Sequence, residues 1–188
     1  MLEYTFFSGE LYDREYYEAG IRSYIETYLS GTPFEIIEDE SGIIPMTDQP
    51  FPRRGGQRIM RTGTKGGRVK ASTGFAFLRT QRDSERIVRS LERHGHPFDV
   101  PAPPRRYATF DAMLLSILKE TPERGREIFV DLFEKNPLPR VWQFLDEEAG
   151  LAENLKLMAS VPSSPFISAW FDVKLRRLRH RRGERPKR

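Results

Sequence analysis

At 188 residues, with no cysteine and a formal net charge of +4, the chain is long enough for one ordinary core. Disulfides, cysteine-based zinc sites and thiol catalysis are excluded. A 38% apolar share, a mean hydropathy of −0.60 and no apolar run near the roughly 18 residues of a membrane span predict a soluble protein.

Met1 to Ser8, MLEYTFFS, is apolar and β-prone from its first residue and predicts a strand. Asp13 to Leu29 carries Tyr16, Ile21, Tyr24, Ile25 and Tyr28 at helical spacing, with Asp13 as the cap and Gly31-Thr32-Pro33 as the stop. Phe34 to Pro45 reads as a hairpin turning on Asp39-Glu40-Ser41-Gly42. The proline-rich segment Pro45 to Gly56 should cross the sheet near whatever is bound.

Gln57 to Leu91 is the most informative stretch. Alternation around Arg58 to Thr62 suits a short strand. Gly63-Thr64-Lys65-Gly66-Gly67 makes a turn, and Ser72 and Thr73 are good caps for a helix carrying Phe75, Leu78, Ile87 and Leu91. A helix opening beside glycines presents free N–H groups and a positive dipole end, which suits an anion. The simpler alternative is that the glycines only turn the chain. The pattern is neither Walker A nor GxGxxG.

A Pro/Gly loop follows from Arg93 to Arg106. His94, His96 and His180 are too few and too scattered for a metal site, so no metal is expected. The remainder is helical. Segments run from Tyr107 to Lys119, from Pro122 behind Thr121 to about Lys135, from Leu138 to Glu148, from Leu151 to Ser160, and from Pro165 to about His180. The chain ends on KLRRLRHRRGERPKR, which either attracts phosphate on nucleic acid or lipid or is a solvated tail. The expected organisation is a region of short strands, turns and helices at 1–92, a Pro-rich linker at 93–106, a helical region at 107–180 and a basic tail at 181–188. The fold class this predicts is α/β, an α+β arrangement of short strands followed by a helical block. With no signal peptide and no cysteine, a reducing cytoplasmic setting is the default.

Several residues together carry a resemblance. Glu38-Asp39-Glu40, Ile44-Pro45-Met46, Pro50, Pro52, Gln57-Arg58, Gly63-Thr64, Gly67, Ser72-Thr73-Gly74-Phe75, Arg79-Thr80 and FLDEE at Phe144 to Glu148 resemble, in order and spacing, the flavin-dependent lycopene β-cyclases of the bacterial soluble type. The resemblance implies the C-terminal half of a two-domain FAD-dependent, hydroxylase-like flavoprotein, with the first flavin motif upstream of Met1 and a missing N-terminal half as partner. It implies reduced FAD without net redox change, NAD(P)H as flavin reductant, lycopene as substrate, and a peripheral membrane association. Gly63, Thr64, Gly66, Gly67, Ser72, Thr73 and Gly74 would then contact the flavin. Lys65, where the family has a small residue, would pair with a flavin phosphate or face solvent.

The implied reaction begins with protonation of an alkene, a very weak base, so the acid must be protonated and poorly solvated. Glu3, among Leu2, Tyr4, Phe6 and Phe7, is the candidate acid, and the alternative is that it caps an exposed edge. Tyr4 stands where many family members have a second acid. Glu40 and Asp48 are candidate proton relays. Phe6, Phe7, Phe51 and Phe75 either stabilise the cation or pack a core. Phe166, Ile167, Trp170 and Phe171 either anchor the protein on anionic lipid or pack on the cap. The alternatives are an inactive flavoprotein fragment, another flavin enzyme such as a hydroxylase, for which Thr64 stands where an acid is usual, and a basic nucleic-acid-binding module, for which no recognised motif is present.

Overall fold

The computed structural model describes residues 1–181; the last seven residues of the expected basic tail lie outside the described residues. The chain divides into two compact units, Met1–Ile43 and Ile44–Arg188. Among the described residues there are seven α-helices and no strand, so the expected α/β class is overturned.

In the first unit only α1 (Arg14–Tyr28) is regular. Its start is set by Asp13, whose side chain accepts the Tyr16 N–H at 3.0 Å. Glu18 pairs with Arg14 and Arg22 one turn to either side, at 2.7 and 3.2 Å. The segment before α1 is not a strand. Its aromatics gather locally instead: Tyr12 stacks on Tyr16 at 4.5 Å, and Phe6 meets both edge-on. Gly20 is the residue that lets Tyr4 lie on α1, since a Cβ there would stand 2.7 Å from the ring.

The expected hairpin from Phe34 to Pro45 is also absent, and Phe34, Ile36, Ile37 and Ile43 are exposed. The physical reason is shared. β-prone side chains describe a surface that fits a sheet, and a strand exists only where a partner completes its ladder. Among the described residues neither segment has one.

In the second unit, residues 44–76 are irregular. The strand expected at Arg58 to Thr62 reduces to one antiparallel bridge, Arg54 with Met60, closed by Gly55 N–H to Ile59 O at 2.9 Å and Arg61 N–H to Arg53 O at 2.8 Å. Gly63–Gly66 form a 3₁₀ turn, and Gly67 ends it at φ +70°, where a side chain would be strained. Helix α2 (Phe77–His94) follows and stops on Gly95 at φ +67°. Its cap is Ala76 without a side-chain bond, so Ser72 and Thr73 do not cap it.

Helices α3 (Arg105–Glu120), α4 (Pro122–Glu134), α5 (Leu138–Leu145), α6 (Leu151–Ala159) and α7 (Ser163–Arg181) build the core. α3 packs on α4 and α7, and α5 packs on α4 and α6. Ala112, Met113 and Ile117 of α3 meet Ile128 and Leu132 of α4, Val141 and Leu145 of α5, Leu157 of α6, and Ala169 and Val173 of α7. Gly125 lets α4 approach α3, because a Cβ there would fall 2.3 Å from Leu118 Cδ2. No helix among the described residues is long and apolar enough to cross a membrane.

Candidate functional site

The glycine turn is joined to the helical block by buried charges. Lys70, between the turn and α2, donates to Asp111 Oδ1 of α3 at 2.7 Å and to Glu147 Oε1 at 3.2 Å. Lys70 and Asp111 are both nearly sealed from solvent, with side chains 4% and 6% exposed. Ser72 Oγ donates to the same Asp111 oxygen at 2.6 Å, which is why it is not free to cap α2. Arg79 of α2 gives Glu147 a second donor at 2.8 Å.

Glu147 lies in the loop after α5 at φ +63°, a left-handed conformation that costs a side-chain-bearing residue about 1 kcal/mol. Two cations on its carboxylate hold it there. Arg82 of α2 fastens the same loop through the Asp146 carbonyl at 2.8 Å and the Glu148 carboxylate. Tyr107 donates to the Ala149 carbonyl at 2.7 Å and fixes the loop from the α3 side.

A second cluster lies under the turn. Asp83 of α2, 3% exposed, accepts from Arg53 at 2.9 Å and from Arg68 at 3.4 Å. Burial lowers the Arg68 pKa; Asp83 opposes that effect, and the charges of Arg53, Arg79 and Arg86 add to it.

Two cavities lie in this unit. One, of about 180 Å³, sits at the start of α2 between Lys70, Phe75, Phe77, Arg79, Leu145 and Asp146. The other, of about 620 Å³, is bounded by Asp48 to Pro50, Thr109 of α3, and Trp170, Val173, Lys174 and Arg177 of α7. No group of His, Asp or Glu side chains that could hold a metal is found among the described residues.

The site residues expected from sequence fall in different settings. Glu3 is exposed, and its Oε1 accepts from Thr5 Oγ1 at 2.6 Å. Glu40 is exposed in the loop where its neighbour Asp39 pairs with Arg14. Asp48 is mostly buried at the larger cavity and accepts from Arg176 at 2.8 Å. Gly63 faces open space and Thr64 is exposed. Gly66, Gly67 and Gly74 are close-packed by the chain itself: a Cβ would meet Arg61 O at 2.4 Å, Phe51 Cβ at 3.0 Å and Ile44 Cγ2 at 3.1 Å respectively. Thr73 Oγ1 accepts the Phe75 N–H at 3.4 Å.

For a flavin dinucleotide these residues are a partial fit. They offer open backbone at Gly63 and an arginine-rich surround at the turn, and the smaller cavity is below the few hundred cubic ångströms a cofactor fills. Sequence reasoning did not single out Lys70, Asp111 or Asp83, and it met Glu147 only as part of the FLDEE motif, with no role. Asp111 did leave a signal. It stands among Phe110, Met113, Leu114 and Ile117, a charge within an apolar helical pattern that demands a buried partner.

The fold and this site define a helical block whose inter-helix loop is pinned by buried carboxylates to a glycine-rich turn. The model of one family, described as lycopene cyclase protein, matches residues 1–170. The chain belongs to the lycopene cyclase family, the resemblance carried by its own motifs, and its substrate is thereby lycopene and its place carotenoid biosynthesis. Searches of curated proteins and of solved structures found no match.

Proposed function

We propose that this chain forms β-rings at the ψ-ends of lycopene by proton-initiated cyclisation. The observation that carries the reading is the family match across residues 1–170. An acid delivers a proton to C2 of the terminal alkene and leaves a cation at C1. The C5=C6 π-electrons attack C1 and close the C1–C6 bond. The cation then at C5 is discharged by loss of the C6 proton, which restores the double bond in the ring. Nothing is oxidised or reduced overall, so the enzyme is an isomerase-type intramolecular lyase.

Glu3 is the proposed acid, with Glu40 and Asp48 as relays. Glu3 already holds a hydrogen bond from Thr5, and an apolar substrate beside it would exclude water from the carboxyl. Reduced FAD, with NAD(P)H as its reductant, is the proposed cofactor, and when bound it supplies an electron-rich ring beside the cation. Gly63, Thr64, Gly66, Gly67, Ser72, Thr73 and Gly74 form the segment that would hold it. A nucleotide-binding half is proposed to complete the site. The β-prone segments at 1–8 and 34–45, which lack partners among the described residues, support that view.

The proposed location is the cytoplasm, at the membrane surface. Ile167, Trp170, Phe171 and Leu175 of α7 are exposed, and Lys174 lies over the Trp170 ring at 4.6 Å. Apolar anchors beside basic residues suit the interface of an anionic bilayer.

The test is conversion of lycopene in liposomes, with FAD and dithionite, by this chain together with the nucleotide-binding half proposed to complete its site. Monocyclic or bicyclic β-ring product is the expected result, with Glu3→Gln reducing the rate at least about 100-fold, the lower end of the range for general acid catalysis. Acyclic lycopene alone, under conditions where an active cyclase control turns over, would overturn the reading.

A further inference from the structure

Helix α7 carries two kinds of side chain in adjacent rows. Ile167, Phe171, Leu175 and Leu178 recur at helical spacing and are all exposed, so they form one apolar stripe. Trp170, Lys174 and Arg177 run beside it at the same spacing. The two rows border the larger cavity, of about 620 Å³, which α7 forms with Thr109 of α3 and the segment Asp48 to Pro50. Trp170, Lys174 and Arg177 of one row and Leu178 of the other line it.

Charge in this cavity is not balanced. Lys174, Arg176 and Arg177 line it, and Asp48 is the one carboxylate among its lining residues. Arg176 donates to Asp48 at 2.8 Å and so neutralises it. Arg177 donates to Thr109 Oγ1 at 3.1 Å and to the Ala108 carbonyl at 3.2 Å, both uncharged acceptors. Lys174 lies over the Trp170 ring at 4.6 Å. Among the described residues neither Lys174 nor Arg177 pairs with a carboxylate, so two positive charges stand over along one wall. The bonds from Arg177 to α3 set its guanidinium before any ligand arrives, which lowers the cost of binding one.

The polar wall suits an anion, and the exposed stripe beside it suits hydrocarbon. A free anion would leave the stripe in water, and an uncharged lipid would leave Lys174 and Arg177 unmatched. An anionic phospholipid meets both at once.

We propose that this cavity takes the headgroup of one anionic phospholipid, with Lys174 and Arg177 on its phosphate and its acyl chains along Ile167, Phe171 and Leu175. Trp170 stands between the two parts, the level at which an amphipathic ring settles at a lipid interface. The inference rests on the membrane-surface location proposed above and adds a discrete, saturable site to it. Interfacial docking by itself needs apolar anchors and a basic surface, and no cavity for a single headgroup.

The experiment titrates the 188-residue chain by calorimetry with dihexanoylphosphatidylglycerol below its micelle concentration. Dihexanoylphosphatidylcholine and glycerol phosphate are titrated in parallel. The anionic lipid is expected to bind saturably and at least about tenfold tighter than either comparison ligand, as two matched basic groups imply. Lys174→Gln with Arg177→Gln should weaken it by about tenfold or more. Lys174→Gln alone should weaken it with unchanged far-ultraviolet dichroism, because that side chain is exposed. Arg89→Gln with Arg124→Gln removes the same charge from exposed positions on α2 and α4 and should bind as the native chain does. Glycerol phosphate binding as tightly as the lipid would assign a free anion and overturn the proposal. So would equal binding of the choline lipid, no saturable binding, or unchanged affinity in folded Lys174→Gln. Sedimentation with phosphatidylglycerol vesicles separates this site from the location it rests on. A chain that pellets with them but does not bind the short-chain lipid keeps the membrane location and loses the site. A chain that does not pellet loses the location, and the soluble titration still decides the site.

Discussion

The first unit, Met1–Ile43, and the helical block of α3 to α7 were read from equally strong apolar patterns, and they met different fates. In the block, helical spacing gives each element a stripe, and the stripes of five helices close on one another. In the first unit the apolar residues are as plentiful, yet α1 has no buried residue and Ile37 remains 94% exposed. The difference is one of self-sufficiency. A helix satisfies its own backbone and needs only a face to pack on, whereas a strand needs another strand before its backbone is satisfied at all. The first unit behaves as sequence that is prepared for packing and lacks the ladder to complete it.

The sharpest way to break the contrast is to cut the buried charges that tie the turn to the block. Asp111→Ala leaves Lys70 with Glu147 as its carboxylate partner in a nearly dry site and removes the acceptor of Ser72. A loss of about 3 kcal/mol is expected, read by urea denaturation. Charge reversal in the first unit, at Arg14 or Asp39, should leave the urea midpoint nearly unchanged, because that pair is exposed.

The next test compares apolar truncations. Leu157→Ala, at a position 2% exposed in the core, should cost about 2–5 kcal/mol. Ile37→Ala should leave the melt within about 0.5 kcal/mol. An effect of Ile37→Ala as large as that of Leu157→Ala would mean that the first unit owns a core after all.

The smallest effect concerns α1 itself. Asp13→Ala removes the one side-chain cap on that helix and should cost about 1 kcal/mol of local helix stability, measured by amide exchange at the first turn. Equal loss of protection across α3 to α7 would show a global destabilisation and not the loss of this cap.

Much of the helical framework was legible. Asp13 announced the start of α1, Pro122 the start of α4, and the helical segments from Tyr107 onward the elements whose faces meet in the core. The glycine turn was legible as a turn, since Gly67 and Gly74 both take positive φ. Its partners were not. Ser72 looks like a helix cap because Ser caps helices, and here its hydroxyl is taken by an aspartate 39 positions away. The pairing of Lys70 with Glu147 crosses 77 positions, and no local rule links them.

What the sequence determined by itself is what depends on neighbours a few residues apart: helix faces, caps, turns, and the ordered motifs that mark the family. What only tertiary structure decided is what depends on distant partners. Strand-prone segments became irregular for want of a ladder. Individually ordinary arginines came to share one carboxylate, because the fold brings Arg53 and Arg68 onto the same oxygen of Asp83. Hydrogen-bond ladders and charge balance are properties of which groups end up adjacent, and adjacency across tens of residues is set by the fold.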